Sequence, residues 1–84
     1  MPGTPMKKLS LVQLNENQKC TVVEVAGGPG VQHRLMSMGI YPGREITKLS
    51  HFALRGPVAV RVGRSVIALG HGMASHVTVS KVYD

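Results

Sequence analysis

Apolar residues recur along this chain in short alternating runs, each closed by glycine, proline or asparagine. The clearest is Pro57–Val62, which places Val58, Val60 and Val62 on an inward face and Ala59 and Arg61 outward, the period of a half-buried strand. Gly63-Arg64-Ser65 reads as a short hairpin loop, and Val66–Leu69 returns with Ile67 and Leu69 inward. Val77-Thr78-Val79-Ser80 alternates in the same way, and Arg44–Leu49 carries Ile46 as its apolar centre. Cys20–Val25 is rich in β-branched residues but breaks alternation; a single bulge brings Cys20, Val22 and Val25 to one side.

Only Val31–Met38 has helical spacing, with Val31, Leu35 and Met38 on one stripe. Pro29 sits near its first turn, and Gly39 is placed to end it in the left-handed region. Tyr41-Pro42-Gly43-Arg44 has proline and glycine where a type II turn requires them. Ser10–Leu14 predicts one helical turn with Leu11 and Leu14 on one face, and Asn15-Glu16-Asn17 a turn. Gly70–His76 predicts a turn holding one turn of helix. About five short strands, tight turns and one short helix make a mainly β protein, a small partly open barrel. Residues 1–8 read as a flexible lead and 9–82 as a single domain.

Size agrees with one modest core. The chain has 84 residues, 43% of them hydrophobic and 17% charged, enough apolar surface to fold and little room for a catalytic cleft. Its formal net charge of +6 suits nucleic acid, an acidic protein surface or an anionic membrane face. The cations are scattered, however, and the aromatics are only Phe52, Tyr41 and Tyr83, which argues against a nucleic-acid stacking platform. The single Cys20 excludes a disulfide framework within the chain and predicts a reducing compartment. No apolar stretch follows Lys7 and Lys8 as a secretory signal would require, and none reaches the length of about 18 residues expected of a membrane span. These points predict a soluble, cytoplasmic protein without direct membrane insertion.

Chemistry-bearing residues form no catalytic pattern. Glu24 and Glu45 read as exposed strand charges, and no nucleophile elbow occurs. Ala26-Gly27-Gly28-Pro29-Gly30-Val31 lacks the lysine and hydroxyl that end a phosphate loop, so its glycines read as turn residues. His71 and His76 flank Met73 in one turn, while His33 and His51 are isolated; a structural zinc site needs four ligands in paired spacing. No catalytic, cofactor-binding or metal site is expected.

Arg34-Leu35-Met36-Ser37-Met38-Gly39-Ile40-Tyr41-Pro42-Gly43 resembles the R-L-x-x-(L/M)-G-(I/L)-x-P-G signature of the ferrous iron transport protein A (FeoA) family. Leu11-x-x-Leu14 resembles that family's opening, with Asn17 where a glycine is usual. Gly56-Pro57-Val58-x-Val60-x-Val62, Ile67-Ala68-Leu69, Ala74 and Val77-x-Val79 resemble its later strands, so the likeness covers about residues 9–80. After Leu69 the family often carries a basic residue and an acidic stretch; here Gly70-His71-Gly72-Met73 follows. The resemblance implies an SH3-like barrel with no catalytic residues and no bound cofactor. It also implies a cytoplasmic accessory role, docking on and regulating the cytosolic GTPase part of the ferrous iron transporter FeoB. A related domain closes iron-dependent repressors of the diphtheria toxin repressor type. The partner-binding residues expected on this reading are Arg34, Met36 and Ser37 on the helix, Arg55, Arg61 and Arg64 on a basic edge, and His71 and Met73 in the departing loop. Two other readings compete: a stand-alone nucleic-acid module, which needs Arg55, Arg61, Arg64 and Lys81 on one face with Phe52, and an iron carrier acting through His71 and His76.

Overall fold

The computed structural model describes residues 8–51 and 55–83. Its elements are β1 (Lys8–Ser10), a 3-10 turn (Leu11–Gln13), β2 (Gln18–Val25), α1 (Gly28–Ser37), β3 (Glu45–His51), β4 (Val58–Val62), β5 (Ser65–Leu69), α2 (His71–Ser75) and β6 (Val77–Lys81). Among the described residues, six antiparallel strands form one open sheet in the order β1-β6-β2-β3-β4-β5. The extra strand is β1, which pairs Lys8, Leu9 and Ser10 with Ser80, Val79 and Thr78 of β6.

Local chemistry explains the elements. Ser10 caps the 3-10 turn: its hydroxyl accepts from the Val12 N–H, and its own N–H donates to Gln13 Oε1 at 2.8 Å. Asn17 then takes φ +61, a conformation asparagine adopts at low cost. The β2 bulge falls between Val22 and Glu24 against β6, and Cys20, Val22 and Val25 all become buried. A second bulge, between Lys48 and Ser50, bends β3 against β4. Ala59, expected outward, is only 9% exposed. It lies in the ladder between Ser50 and Ala68, and its one-carbon side chain does not clear them.

The corner after α1 is tightly constrained. Gly39 takes φ +87, the Ile40 N–H returns to the Leu35 carbonyl at 2.9 Å, and the Gly39 N–H to that of Met36 at 2.9 Å. Leu35 and Ile40, brought together by these bonds, are both fully buried. Gly43 at φ +94 and the Arg44 N–H bonded to the Tyr41 carbonyl at 3.0 Å complete the type II turn. That turn is fastened to β2 twice, by the Gly43 N–H on the Val22 carbonyl at 2.8 Å and the Val22 N–H on the Arg44 carbonyl at 2.9 Å.

A Cβ at Gly39 would stand 2.9 Å from Val62 Cγ1 in the core. Gly39→Val therefore adds left-handed strain of about 1–2 kcal/mol and an overpacking cost of about 1–3 kcal/mol. Urea unfolding should show a loss of about 2–5 kcal/mol. A loss below about 0.5 kcal/mol would mean that the corner is not held in this way.

Candidate functional site

The expected partner-binding residues occupy three separate places. Arg34, Met36 and Ser37 lie on the exposed side of α1. The Ser37 hydroxyl donates to the Arg34 carbonyl at 2.6 Å, so it is engaged in closing its own helix. The Arg34 cation sits in the last turn, where the helix dipole favours it. Met36 has no such local role and is 55% exposed.

Beside Met36 runs a groove of about 310 Å³. Its walls are Val23, Glu24 and Val25 of β2, Gln32 and Met36 of α1, and Ile40, Tyr41 and Pro42 of the corner. Gln32 Nε2 donates to the Val25 carbonyl at 3.2 Å and ties helix to strand at one end. At the other end Arg44 Nη1 donates to the Tyr41 hydroxyl at 3.2 Å, with the guanidinium 5.9 Å from the ring centroid. Apart from Met36, the sequence reading did not single out these wall residues as a site. The bulge in β2 was the available signal, since it places Val23 and Glu24 side by side on the wall.

Arg55, Arg61 and Arg64 form the second place, all exposed around the β4–β5 hairpin. Arg61 stands in a cross-strand row that runs Lys19, Thr47, Arg61, Val66. Phe52, which the nucleic-acid reading needs beside them, lies outside the described residues.

His71 and Met73, on α2, form the third. Met73 is half-buried and packs against the core. The ring of His71 lies 6.4 Å from that of His51, while His76, which ends α2, stands beside Gly27. Nε2 of His51 and Nδ1 of His71 are buried without hydrogen-bond partners. Among the described residues, no three His, Cys, Asp or Glu side chains come together as a metal cluster.

Next to His51 stands Lys48, 1% exposed. Its ammonium donates to the Leu14 carbonyl at 2.7 Å and the Val12 carbonyl at 3.1 Å, and reaches His51 Nδ1 at 3.3 Å. An ammonium has three hydrogens, and here three acceptors surround it. Burial pulls the lysine below its ordinary range, with Glu16 opposing the shift. Lys48 also escaped the sequence reading, although it stands two residues from inward Ile46 on the same strand.

Together these features define a class: a small, mainly β, SH3-like barrel. The chain belongs to the FeoA family, whose domain model matches residues 9–81, and is an accessory domain of ferrous iron uptake. It is similar to an iron uptake regulatory protein (FeoA) of known crystal structure, at 32% identity over 92% of this chain and 100% of that one, with a TM-score of 0.82. The FeoA protein from Chlorobium tepidum is similar at 25% identity over 89% of this chain and 71% of that one, TM-score 0.80. A manganese-dependent transcriptional repressor shares the fold at 17% identity, TM-score 0.83, over 96% of this chain and 45% of the repressor. No curated protein sequence matches the chain.

Cys20 is fully buried between strands, and its thiol is pushed from 9.0 up to about 12, first by burial and then by Glu45, with Lys48 opposing. A neutral buried thiol is neither a nucleophile nor a ready metal ligand. The unfolded chain ionises from pH 9 while the folded chain keeps its proton to about 12. The stability this contributes is complete below pH 9 and is lost as pH rises through that interval. Relative to Cys20→Ala, the protein should lose up to about 1.4 kcal/mol per pH unit above that point. Parallel urea midpoints for the two chains between pH 9 and 12 would contradict the assignment.

Proposed function

We propose that this chain is a cytoplasmic, non-enzymatic regulator of ferrous iron uptake that docks on the cytosolic GTPase part of FeoB. Family membership and the likeness to an iron uptake regulatory protein support the pathway. Among the described residues, no helix is long and apolar enough to cross a membrane, which agrees with an accessory that acts on a transporter. The observation that carries the docking is Met36, a large apolar side chain held 55% exposed on the wall of a preformed groove. An unbranched thioether adapts to an irregular partner surface, and Glu24 adds charge in the groove wall. The net charge of +6 speeds encounter with an acidic surface.

Titration of the isolated cytosolic domain of FeoB with this chain tests the reading. Wild type should bind, and Met36→Asp should weaken binding by about tenfold or more while the melting temperature stays within about 2 °C. Absence of binding by the wild-type chain at high micromolar concentration would sink the proposal.

A further inference from the structure

Among the described residues the sheet ends on β5, which pairs with β4 alone, in an unbroken register from Val58↔Leu69 to Val62↔Ser65. The loop between them has two residues, Gly63 and Arg64, and Gly63 supplies its positive φ of 61°. A two-residue hairpin of this kind places its first hydrogen-bonded pair directly beside the loop, here Val62 and Ser65. Bonded pairs alternate along an antiparallel ladder, so Ile67 and Leu69 also turn their backbone toward β4. Val66 and Ala68 turn theirs off the sheet. Among the described residues, no backbone hydrogen bond from any other element reaches them.

Sheet edges are ordinarily protected by charge, proline, a bulge or shortness. The opposite edge follows that rule, since β1 has three residues and begins with Lys8. Ser65-Val66-Ile67-Ala68-Leu69 has five residues, no charge, no proline and no register shift, and Val66 is 58% exposed. The strand is also held rigid from behind, because Leu69 is 2% exposed and Ile67 packs on the core.

The surroundings of this edge select its occupant. Arg61 lies directly across from Val66, Arg64 is in the hairpin, and Arg55 precedes β4; all three are exposed. Residues 46–83 contain no aspartate or glutamate. A second copy pairing β5 against β5 would bring two such arginine sets together without compensation. A nucleic acid could answer the arginines but has no alternating N–H and C=O groups to match Val66 and Ala68. An extended peptide with acidic side chains answers both.

We propose that β5 is an open docking edge that takes an extended, acidic protein segment as a seventh strand. This surface is separate from the Met36 groove, and the inference does not depend on the partner assigned to that groove.

The probe is the synthetic peptide acetyl-Glu-Val-Glu-Val-Glu-Val-Glu-amide, titrated into the isotopically labelled full chain. Expected are amide shifts at Arg61, Arg64, Val66 and Ala68, and slowed hydrogen exchange at the Val66 and Ala68 amides. Two control peptides leave the protein untouched: one N-methylated at alternate amides on the docking side, one with lysine in place of glutamate. Both should bind at least about tenfold more weakly, as should the acidic peptide to Arg61→Glu/Arg64→Glu. Equal affinity for the N-methylated peptide would reduce the surface to a charge patch and overturn the proposal. Tighter binding of decathymidylate at the same amides would assign the face to nucleic acid. Protection of Val66 and Ala68 in the free chain, with a dimer in sedimentation, would give the edge to a second copy.

Discussion

The absence of a side chain at Gly39 is the constraint on which the rest of this molecule rests. At φ +87, with Val62 Cγ1 2.9 Å from the position a Cβ would take, the backbone passes where only glycine fits. That passage stops α1, buries Leu35 against Ile40, and delivers Tyr41-Pro42-Gly43 to the two hydrogen bonds on Val22. Those bonds bring β3 alongside β2, and β3 in turn carries β4. With Leu35 inward, Met36 one residue on points away from the core. The exposed methionine is therefore a consequence of the corner's geometry, and the groove beside it is walled by the same corner.

A second device joins the distant parts of the barrel. Lys48 gathers the Val12 and Leu14 carbonyls, the first inside the 3-10 turn and the second at its end, onto the middle of β3. Burying an ammonium is costly unless every hydrogen is matched, and the two carbonyls with His51 Nδ1 match all of them. His51, in contact with that lysine, in turn lies beside His71 of α2, their ring centroids 6.4 Å apart.

These two devices differ in how far they could be read from residues alone. The corner was legible because its signals are local: a helical stripe, a glycine, then proline and glycine in sequence. The β2 bulge was legible because Cys20, Val22 and Val25 could share a face in no other way. Lys48 was not, because its residue type argues against burial and its acceptors come from a segment more than thirty residues away. Strand β1 was missed for a related reason: three residues have no period, and their extended form comes from pairing with β6. His71 was read against His76, its neighbour in sequence, whereas the fold sets it against His51. The groove draws its walls from β2, α1 and the corner, so no single window of sequence contains it. Its most conspicuous residue, Met36, was legible because it falls off the apolar stripe of α1.

Charge separates the two candidate surfaces. The three glutamates of the described chain, Glu16, Glu24 and Glu45, all precede residue 46, and Glu24 stands in the groove wall. The groove accordingly offers an apolar trough with a carboxylate, suited to a side chain inserted from a folded partner. The β5 edge offers unpaired backbone groups among the described residues and exposed arginines beside them, suited to main-chain pairing. Both are preformed, since each is built on elements whose other face is in the core. Binding to either therefore requires little ordering of this chain, and most of the entropy lost at the β5 edge falls on the incoming peptide. A flexible segment ordered in that way binds with modest affinity for the area it covers and exchanges readily. An accessory barrel with one trough for a folded surface and one edge for an extended segment can hold a partner at two points. Engagement of both by one partner would raise the effective concentration of the second contact, and release of either would weaken the whole.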